Sequence, residues 1–232
     1  MKLLKTLLPL CCFTLSVLLS GGTERAIEAA QEGDKLVYAD FETMKDNRPV
    51  SSRGGYVHLF EGHENAANRC SFKGAGDSDA PEVVRPGKDS PNKAIAFDYF
   101  LPAPNQWANV TVEINGQADK DGKPVADDVS GYKAMMLQLY VTGVSSVRVE
   151  FISKGQAIQI PAGSPQMSFK VSQGFNIYKI PLNSLSQPAW VENRINPKDL
   201  LKKLTAVSIS VYCEQCVQTK GTVVVDNIYF QK

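Results

Sequence analysis

The sequence predicts an all-β protein, a β-sandwich or jelly roll that carries one short helix. Short runs of β-branched and aromatic residues recur along the chain, and clusters of Gly, Pro, Asn, Asp and Ser separate them. The chain has 232 residues, 43% hydrophobic and 21% charged, which is enough for one sandwich with a core of its own. Helical patterns do not alternate with the strands, so a βαβ enzyme fold is disfavoured.

The beginning of the chain differs in composition from the rest. Two lysines precede an apolar run at 7–19, and small residues follow up to Gly22. This order is typical of a signal peptide, and the run is short for a membrane span. We therefore expect an exported protein, secreted or periplasmic, with a signal peptide at 1–22, a linker at 23–34 and one domain at 35–232. A retained N-terminal anchor is the alternative.

The charge balance excludes several classes of partner. Residues 1–22 carry two lysines and no acidic residue, so their removal changes the formal net charge from +1 to −1. A nearly neutral chain without a basic run has no electrostatic footprint for nucleic acid or for an anionic membrane. We expect neither partner, apart from contact of the leader with a membrane.

Ten segments have the composition of strands, and turn residues mark their ends. The predicted strands are 36–42, 51–62, 93–101, 107–114, 132–141, 147–153, 167–171, 175–181, 205–212 and 221–230. Loops rich in Gly, Pro, Asp and Ser are predicted at 44–49, 75–92 and 119–128. The segment 196–203 is the one predicted helix, because Asn196 is a good N-cap and Pro197 suits the first helical position.

Alternation assigns faces to two of these strands. In 147–153, Val147, Val149 and Phe151 share one face, which leaves Arg148, Glu150 and Ile152 on the other. In 205–212, Val207, Ile209 and Val211 point inward, which leaves Ser208, Ser210 and Tyr212 outward.

The last strand contains a residue that does not suit a core. Asp226 follows three valines, and a buried carboxylate must be paired, hydrogen-bonded or bound to a metal. The first strand also ends in acids, Asp40 and Glu42. We therefore expect the two ends of the domain to meet through carboxylates.

The cysteines leave several pairings open. Cys70, Cys213 and Cys216 remain after the leader, and an oxidising compartment permits a disulfide. Cys213 with Cys216 would close a small loop, and Cys70 with either of them is equally compatible with the sequence. A redox function is disfavoured because the Cys-x-x-Cys pair follows a strand pattern and not a helix N-terminus.

Several short motifs occur in order over nearly all of the chain from about Leu36 to Phe230. They are Asp40-Phe41-Glu42, Ser52-Arg53-Gly54-Gly55, Val129-Ser130-Gly131-Tyr132, Leu137-Gln138-Leu139, Tyr178-Lys179-Ile180-Pro181-Leu182, Gln187-Pro188-Ala189-Trp190, Leu204-Thr205-Ala206-Val207-Ser208-Ile209 and Val225-Asp226-Asn227-Ile228. In this order they resemble the galactose-binding-like jelly rolls of family 11 carbohydrate-binding modules and the related complex I intermediate-associated proteins.

The resemblance implies a structural calcium near the joined termini, held by one acid of the first strand, one of the last and backbone carbonyls. At matching positions these acids are Glu42 and Asp226, and Asp40 competes with Glu42 for the role. Calcium suits such a site because it prefers hard oxygen ligands and neutralises acids that would otherwise repel. The alternative is that Asp226 accepts hydrogen bonds from backbone amides while the other acids are solvated.

The resemblance also implies a ligand face on the concave sheet, where aromatic rings stack on sugars and polar groups bind their hydroxyls. The candidate ligand residues are Arg148, Glu150, Ser208, Ser210, Tyr212, Tyr140, Trp107, Gln187 and Trp190. Each has a structural alternative: Trp190 at a sandwich edge, Trp107 in the core, and Arg148 with Glu150 as a surface ion pair.

Catalytic motifs are not apparent. His58 and His63 do not have the spacing of a His-Glu-x-x-His zinc site, and nothing places two acids such as Glu113 and Glu150 at a glycosidase separation. We expect a non-catalytic, monomeric module that binds a polysaccharide such as a β-glucan. The alternative is a protein-interaction or assembly domain of the complex I intermediate-associated type.

Overall fold

The structure is a computed structural model, and it describes residues 34–62, 71–73, 79–87, 89–155, 163–215 and 218–232. The predicted signal peptide, nearly all of the predicted linker, His63, Cys70 and Cys216 lie outside these ranges. Residues 36–232 form one compact unit. Within the described ranges, no helix is long and apolar enough to cross a membrane.

The described part of the chain is built from fourteen strands. They are β1 (Lys35–Ala39), β2 (Met44–Lys45), β3 (Arg48–Pro49), β4 (Val57–Gly62), β5 (Ser71–Lys73), β6 (Glu82–Val84), β7 (Ala94–Leu101), β8 (Gln106–Glu113), β9 (Ala134–Val141), β10 (Ser146–Ile152), β11 (Gln166–Lys170), β12 (Asn176–Pro181), β13 (Ala206–Cys213) and β14 (Thr219–Gln231).

Two antiparallel sheets form a β-sandwich jelly roll, as the sequence predicts. The seven-stranded sheet has the order β12-β9-β14-β7-β5, with β1 paired to β14 and β6 paired to β7. The five-stranded sheet has the order β11-β10-β13-β8-β4. Strands β2 and β3 form a separate small hairpin. Each sheet buries one face, because alternate side chains of a strand point to opposite sides.

The helical elements are short. Helix α1 spans Pro197–Leu201, and its N-cap Asn196 accepts a hydrogen bond from Lys198 N at 3.0 Å. A single 3-10 turn lies at Leu182–Ser184. The predicted helix is therefore confirmed, with Leu200 and Leu201 buried.

The core lies between the two sheets, and the predicted faces are confirmed. Val147, Val149 and Phe151 are each at most 1% exposed, whereas Arg148, Glu150 and Ile152 are partly exposed on the other side. The inward residues of β13 are buried in the same way. Filling a sandwich from both inner faces is what stabilises such a fold.

Short elements inside the predicted loops are the main difference from the sequence analysis. The segment 44–49 contains the hairpin of β2 and β3, and the segment 75–92 contains β6. These strands have two or three residues each, too few for a period of two to be recognised. Asp46 and Asn47 have positive φ angles of 51° and 61°, which the tight turn of the hairpin requires.

Candidate functional site

The outward face of the five-stranded sheet carries a cleft of about 1280 Å³. Its floor comes from β8, β10, β11 and β13, and its rim from the turn at 143–145 and the loops that contain Ser164, Pro188 and Glu214. A side cavity of about 340 Å³ continues it over β4, and the two share Trp107, Asn109 and Glu150. Cleft and side cavity together therefore cross all five strands of the sheet.

Strand register arranges the outward side chains in rows that run across the sheet. One row is Phe60, Asn109, Ser210, Arg148 and Ser168, one residue from each strand. The next row is His58, Thr111, Ser208, Glu150 and Gln166. Neighbouring strands lie about 4.8 Å apart, so each row is roughly 19 Å long. The polar members of these rows that are partly exposed on the cleft face include Arg148, Glu150 and Gln166.

Arg148, Glu150 and Tyr212 form one packed group inside the cleft. Arg148 Nε lies 2.7 Å from Glu150 Oε1, and the guanidinium stands over the Tyr212 ring, 5.0 Å from its centroid. The Tyr212 hydroxyl donates to Asn105 Oδ1 at 3.1 Å. The ion pair with Glu150 and the contact with the Tyr212 ring hold the guanidinium of Arg148 in one orientation. Its remaining N–H groups are therefore preorganised donors.

Trp107 lies where the cleft and the side cavity meet. It belongs to β8 and is half-buried, with Gly62 as its partner on β4 and Tyr212 as its partner on β13. A Cβ added to Gly62 would lie 2.0 Å from Trp107 Nε1 and 2.1 Å from Cε2. The indole therefore packs on the backbone of Gly62, and only glycine leaves room for it there. The ring is a cleft wall and not a core residue.

Two further candidates come from the loop 187–190, and the structure separates them. Trp190 lines the cleft and is 66% exposed, so its ring is accessible to a ligand. Gln187 is buried instead, and its Nε2 donates to Gly163 O at 2.9 Å while its Oε1 accepts from Ile195 N at 2.7 Å. Gln187 is thus placed to brace the loop that carries Trp190.

The other candidates lie in two different settings. Ser208 and Ser210 are on the cleft face but are only 1% exposed each, so neighbouring side chains cover them. Thr111 Oγ1 lies 3.1 Å from Ser208 Oγ. Tyr140 is on β9 of the opposite sheet, where it faces outward beside Val224, and the structure does not bring it to the cleft.

Several cleft residues were not predicted from the sequence. Asn109, Gln166 and Ser168 line the cleft, and Thr111, His58 and Phe60 line the side cavity. Except for Gln166, which lies one residue before the predicted strand 167–171, each occupies an outward position of a predicted strand, so alternation gives a signal for its face. The sequence does not show which strands are neighbours in the sheet, so it does not predict that these six residues lie close together.

The acids near the joined ends of the domain form a separate candidate site. Asp226 is 2% exposed on the central strand β14, and its carboxylate accepts hydrogen bonds from Asn227 N at 2.7 Å and Nδ2 at 2.9 Å. Burial is the main cause that raises the pKa of Asp226 to about 6; the hydrogen bond from Asn227 N opposes this shift, and the charges of Glu42 and Asp40 add to it. Strand β1 pairs with β14, so the two ends of the domain are neighbours, and Glu42 and Asp40 are close enough to act electrostatically on Asp226.

The fit of these acids to a cation is partial. Glu42 Oε1 accepts from Lys93 N at 2.6 Å, and Asp40 Oδ1 accepts from Glu42 N at 3.3 Å. Among the described residues, no three acidic, histidine or cysteine side chains converge as a metal-binding group. The raised pKa of Asp226 nevertheless fits a hard cation, because a positive charge would relieve the repulsion. Glu42 and Asp226 are the residues that would hold it.

Cys213 ends β13 at the rim of the cleft and is disulfide-bonded. Both of its candidate partners, Cys70 and Cys216, lie outside the described residues. The choice between them therefore stays open.

The fold and the cleft define a class of protein, a β-sandwich jelly roll with a groove across one sheet. A scan against models of protein families finds no match, and a search of curated proteins finds no similar sequence. Solved structures do match. The family 11 carbohydrate-binding module of a cellulosomal cellulase of Clostridium thermocellum matches with a TM-score of 0.51 and 13% identity, over 85% of this chain and 94% of that one.

A second match is the family 11 module of Clostridium thermocellum in complex with a β-1,3-1,4-mixed-linked tetrasaccharide. Its TM-score is 0.51 at 13% identity, over 85% of this chain and 95% of that one. The predicted resemblance to the jelly roll of carbohydrate-binding modules is thus confirmed at the level of the fold. No comparison supports the complex I intermediate-associated branch of the prediction.

Proposed function

We propose that this protein is a non-catalytic carbohydrate-binding module that holds a β-glucan-like polysaccharide in the cleft. One observation carries the proposal: a single groove is lined by aromatic rings and by polar side chains. Trp107, Tyr212 and Trp190 line it together with Arg148 and Asn109. The solved family 11 module in complex with a mixed-linked tetrasaccharide supports the choice of ligand class.

The chemistry of the groove suits a sugar better than a protein surface. A pyranose ring has apolar C–H faces and a rim of hydroxyl groups, so it needs flat rings beside fixed donors and acceptors. The indoles of Trp107 and Trp190 supply such rings, and Arg148 with Glu150 supplies oriented charged groups. A protein partner would be favoured by a flat apolar patch instead.

The charge of the groove favours a neutral glycan. The described acids that line the cleft and the side cavity are Glu61, Glu113, Glu150 and Glu214, and the lysine and arginine residues are Arg148 and Lys154. Arg148 is already paired with Glu150. A polymer that carries carboxylates or sulfates would meet a net repulsion here, whereas a neutral glucan would not.

A binding role is favoured over hydrolysis by the setting of the acids. Glu150 is opposite Ser208 and Glu113 is opposite Ala206, so the two acids lie on strands that are not neighbours and in different rows of the sheet. The carboxylate of Glu150 is also engaged by Arg148, whose Nε lies 2.7 Å from its Oε1. A glycoside hydrolase needs two carboxyl groups that are free to act on one glycosidic bond.

We further propose a structural calcium at Glu42 and Asp226, and export of a monomeric protein. The buried, acid-flanked carboxylate of Asp226 supports the calcium. The composition of residues 1–22 supports export, and a disulfide at Cys213 suits an oxidising compartment.

Affinity gel electrophoresis and a glycan array test the proposal. The full chain is compared with Tyr212→Ala and Arg148→Ala, and Tyr140→Ala is the matched control because it makes the same change on the opposite sheet. We expect retention on a neutral β-glucan that is lost in the first two variants and kept in the control. No retention of the wild-type protein on any glycan would refute the sugar-binding role and favour a protein partner.

A further inference from the structure

A second aromatic surface lies at the β4 edge of the five-stranded sheet, beyond the residues that form the cleft. Phe60 is 47% exposed and lines the side cavity together with His58. The two ring centroids are 6.0 Å apart with an angle of 37° between the planes. They occupy alternate positions of one strand, so both side chains project from the face that carries the cleft.

The contact of its Nδ1 atom with Asp79 orients the imidazole ring of His58. Its Nδ1 lies 3.0 Å from Asp79 Oδ2, and Arg48 Nη2 donates to Asp79 Oδ1 at 2.9 Å. Asp79 O also accepts from Leu59 N at 2.6 Å, which holds this segment against β4. With Nδ1 engaged by the carboxylate, Nε2 is the remaining polar atom of a ring that lines the side cavity.

The side cavity continues the cleft. It shares Trp107 with the cleft, and Phe60 and His58 are the first members of the two rows that cross the sheet. Trp190 lines the cleft with its ring exposed, on a segment that is tied to the other edge strand, β11, by the bridge between Ser186 and Gln166. The rows are roughly 19 Å long, which is several sugar rings of an extended chain and more than the cleft residues alone cover.

We propose that Phe60 and His58 form an additional sugar subsite at the β4 edge. It takes a further pyranose ring of a neutral glucan chain whose other rings occupy the cleft, with Phe60 stacking on the ring face and His58 Nε2 contacting a hydroxyl. The chain then crosses all five strands, with Trp107 at the junction. This inference rests on the proposed function and adds how far the bound glycan extends and that it runs across the strands of the sheet.

Titration calorimetry with β-1,3-1,4-linked glucan tri-, tetra- and hexasaccharides tests the subsite on the full chain. The variants are Phe60→Ala, Phe60→Tyr, which keeps a ring, and Ile177→Ala, a control at an exposed apolar residue of β12 on the other sheet. Loss of one stacked ring should weaken hexasaccharide binding by about 3- to 10-fold. Trisaccharide binding should stay within about twofold of the wild type, and Phe60→Tyr and the control should match the wild type at every length.

Two results would overturn the subsite while leaving the proposed function intact. One is hexasaccharide affinity of Phe60→Ala equal to that of the wild type. The other is an equal loss at all three lengths, which would place Phe60 in the primary cleft. Wild-type protein that binds none of the three oligosaccharides would overturn the proposed β-glucan function and the subsite with it. Melting curves of each variant separate loss of binding from loss of the fold.

Discussion

The substitution Asp226→Asn should stabilise the calcium-free protein at neutral pH. The folded state raises the pKa of Asp226 to about 6, whereas an unfolded Asp titrates near 3.9. Protonation therefore favours the fold. This contribution is complete below pH of about 4 and is lost as the pH rises through about 6, and it amounts to about 3 kcal/mol at most.

The net gain is smaller than this upper limit, because the substitution also affects a hydrogen bond. Asn227 Nδ2 donates to Asp226 Oδ2 at 2.9 Å, and an amide group at position 226 has only one acceptor oxygen. A lost hydrogen bond costs about 1 kcal/mol. We expect a net gain of about 2 kcal/mol at pH 7.5, or roughly 4 to 8 °C in melting temperature. Near pH 4 the advantage should disappear or reverse.

Thermal unfolding in a calcium chelator at pH 4, 6 and 7.5 measures this difference at each pH. The matched control is Asp199→Asn, an exposed acid of helix α1, which should move the melting temperature little at any pH. Equal melting temperatures of the wild type and Asp226→Asn at pH 7.5 would refute the argument that the charge of Asp226 opposes folding.

Calcium should raise the melting temperature of the wild type and not of the variant. An unchanged wild-type melt on chelation would refute the calcium proposal.

The remaining predictions concern the cleft. Tyr212→Ala should weaken glucan binding by about tenfold with little change in melting temperature. Tyr212→Phe should retain most of the affinity, since the hydroxyl only anchors the ring. A large fall in the melting temperature of Tyr212→Ala would instead make the tyrosine structural. Arg148→Ala should reduce affinity in titration calorimetry and also cost about 1 to 3 kcal/mol of stability in urea unfolding, because the side chains of Arg148 and Glu150 are only 22% and 23% exposed and the truncation leaves the Glu150 carboxylate without its partner. Gly62→Ala should displace the Trp107 indole, seen as an altered tryptophan emission and weaker binding, and an unchanged spectrum would count against the packing described above.

Local sequence determined most of the elements of this protein. An alternating pattern is sufficient to predict a strand and the face of each side chain, since successive residues point to opposite sides. In this way alternation puts Arg148, Glu150 and Tyr212 on the outward faces of their strands, where the structure has them. The cap at Asn196 and the proline after it predicted helix α1 for equally local reasons.

Tertiary structure decided which strands are neighbours, and so which residues share the cleft. Alternation gives the face of Tyr140 on its own strand but does not say that β9 belongs to the sheet opposite the cleft. Gln187 carries a polar group that suits a ligand, yet its amide is hydrogen-bonded to the backbone of Gly163 and Ile195. The place of Phe60 at the side cavity and of Gly62 under the Trp107 indole both follow from the pairing of β4 with β8. Pairing between distant segments depends on the packing of the whole chain, and no short window of sequence contains that information.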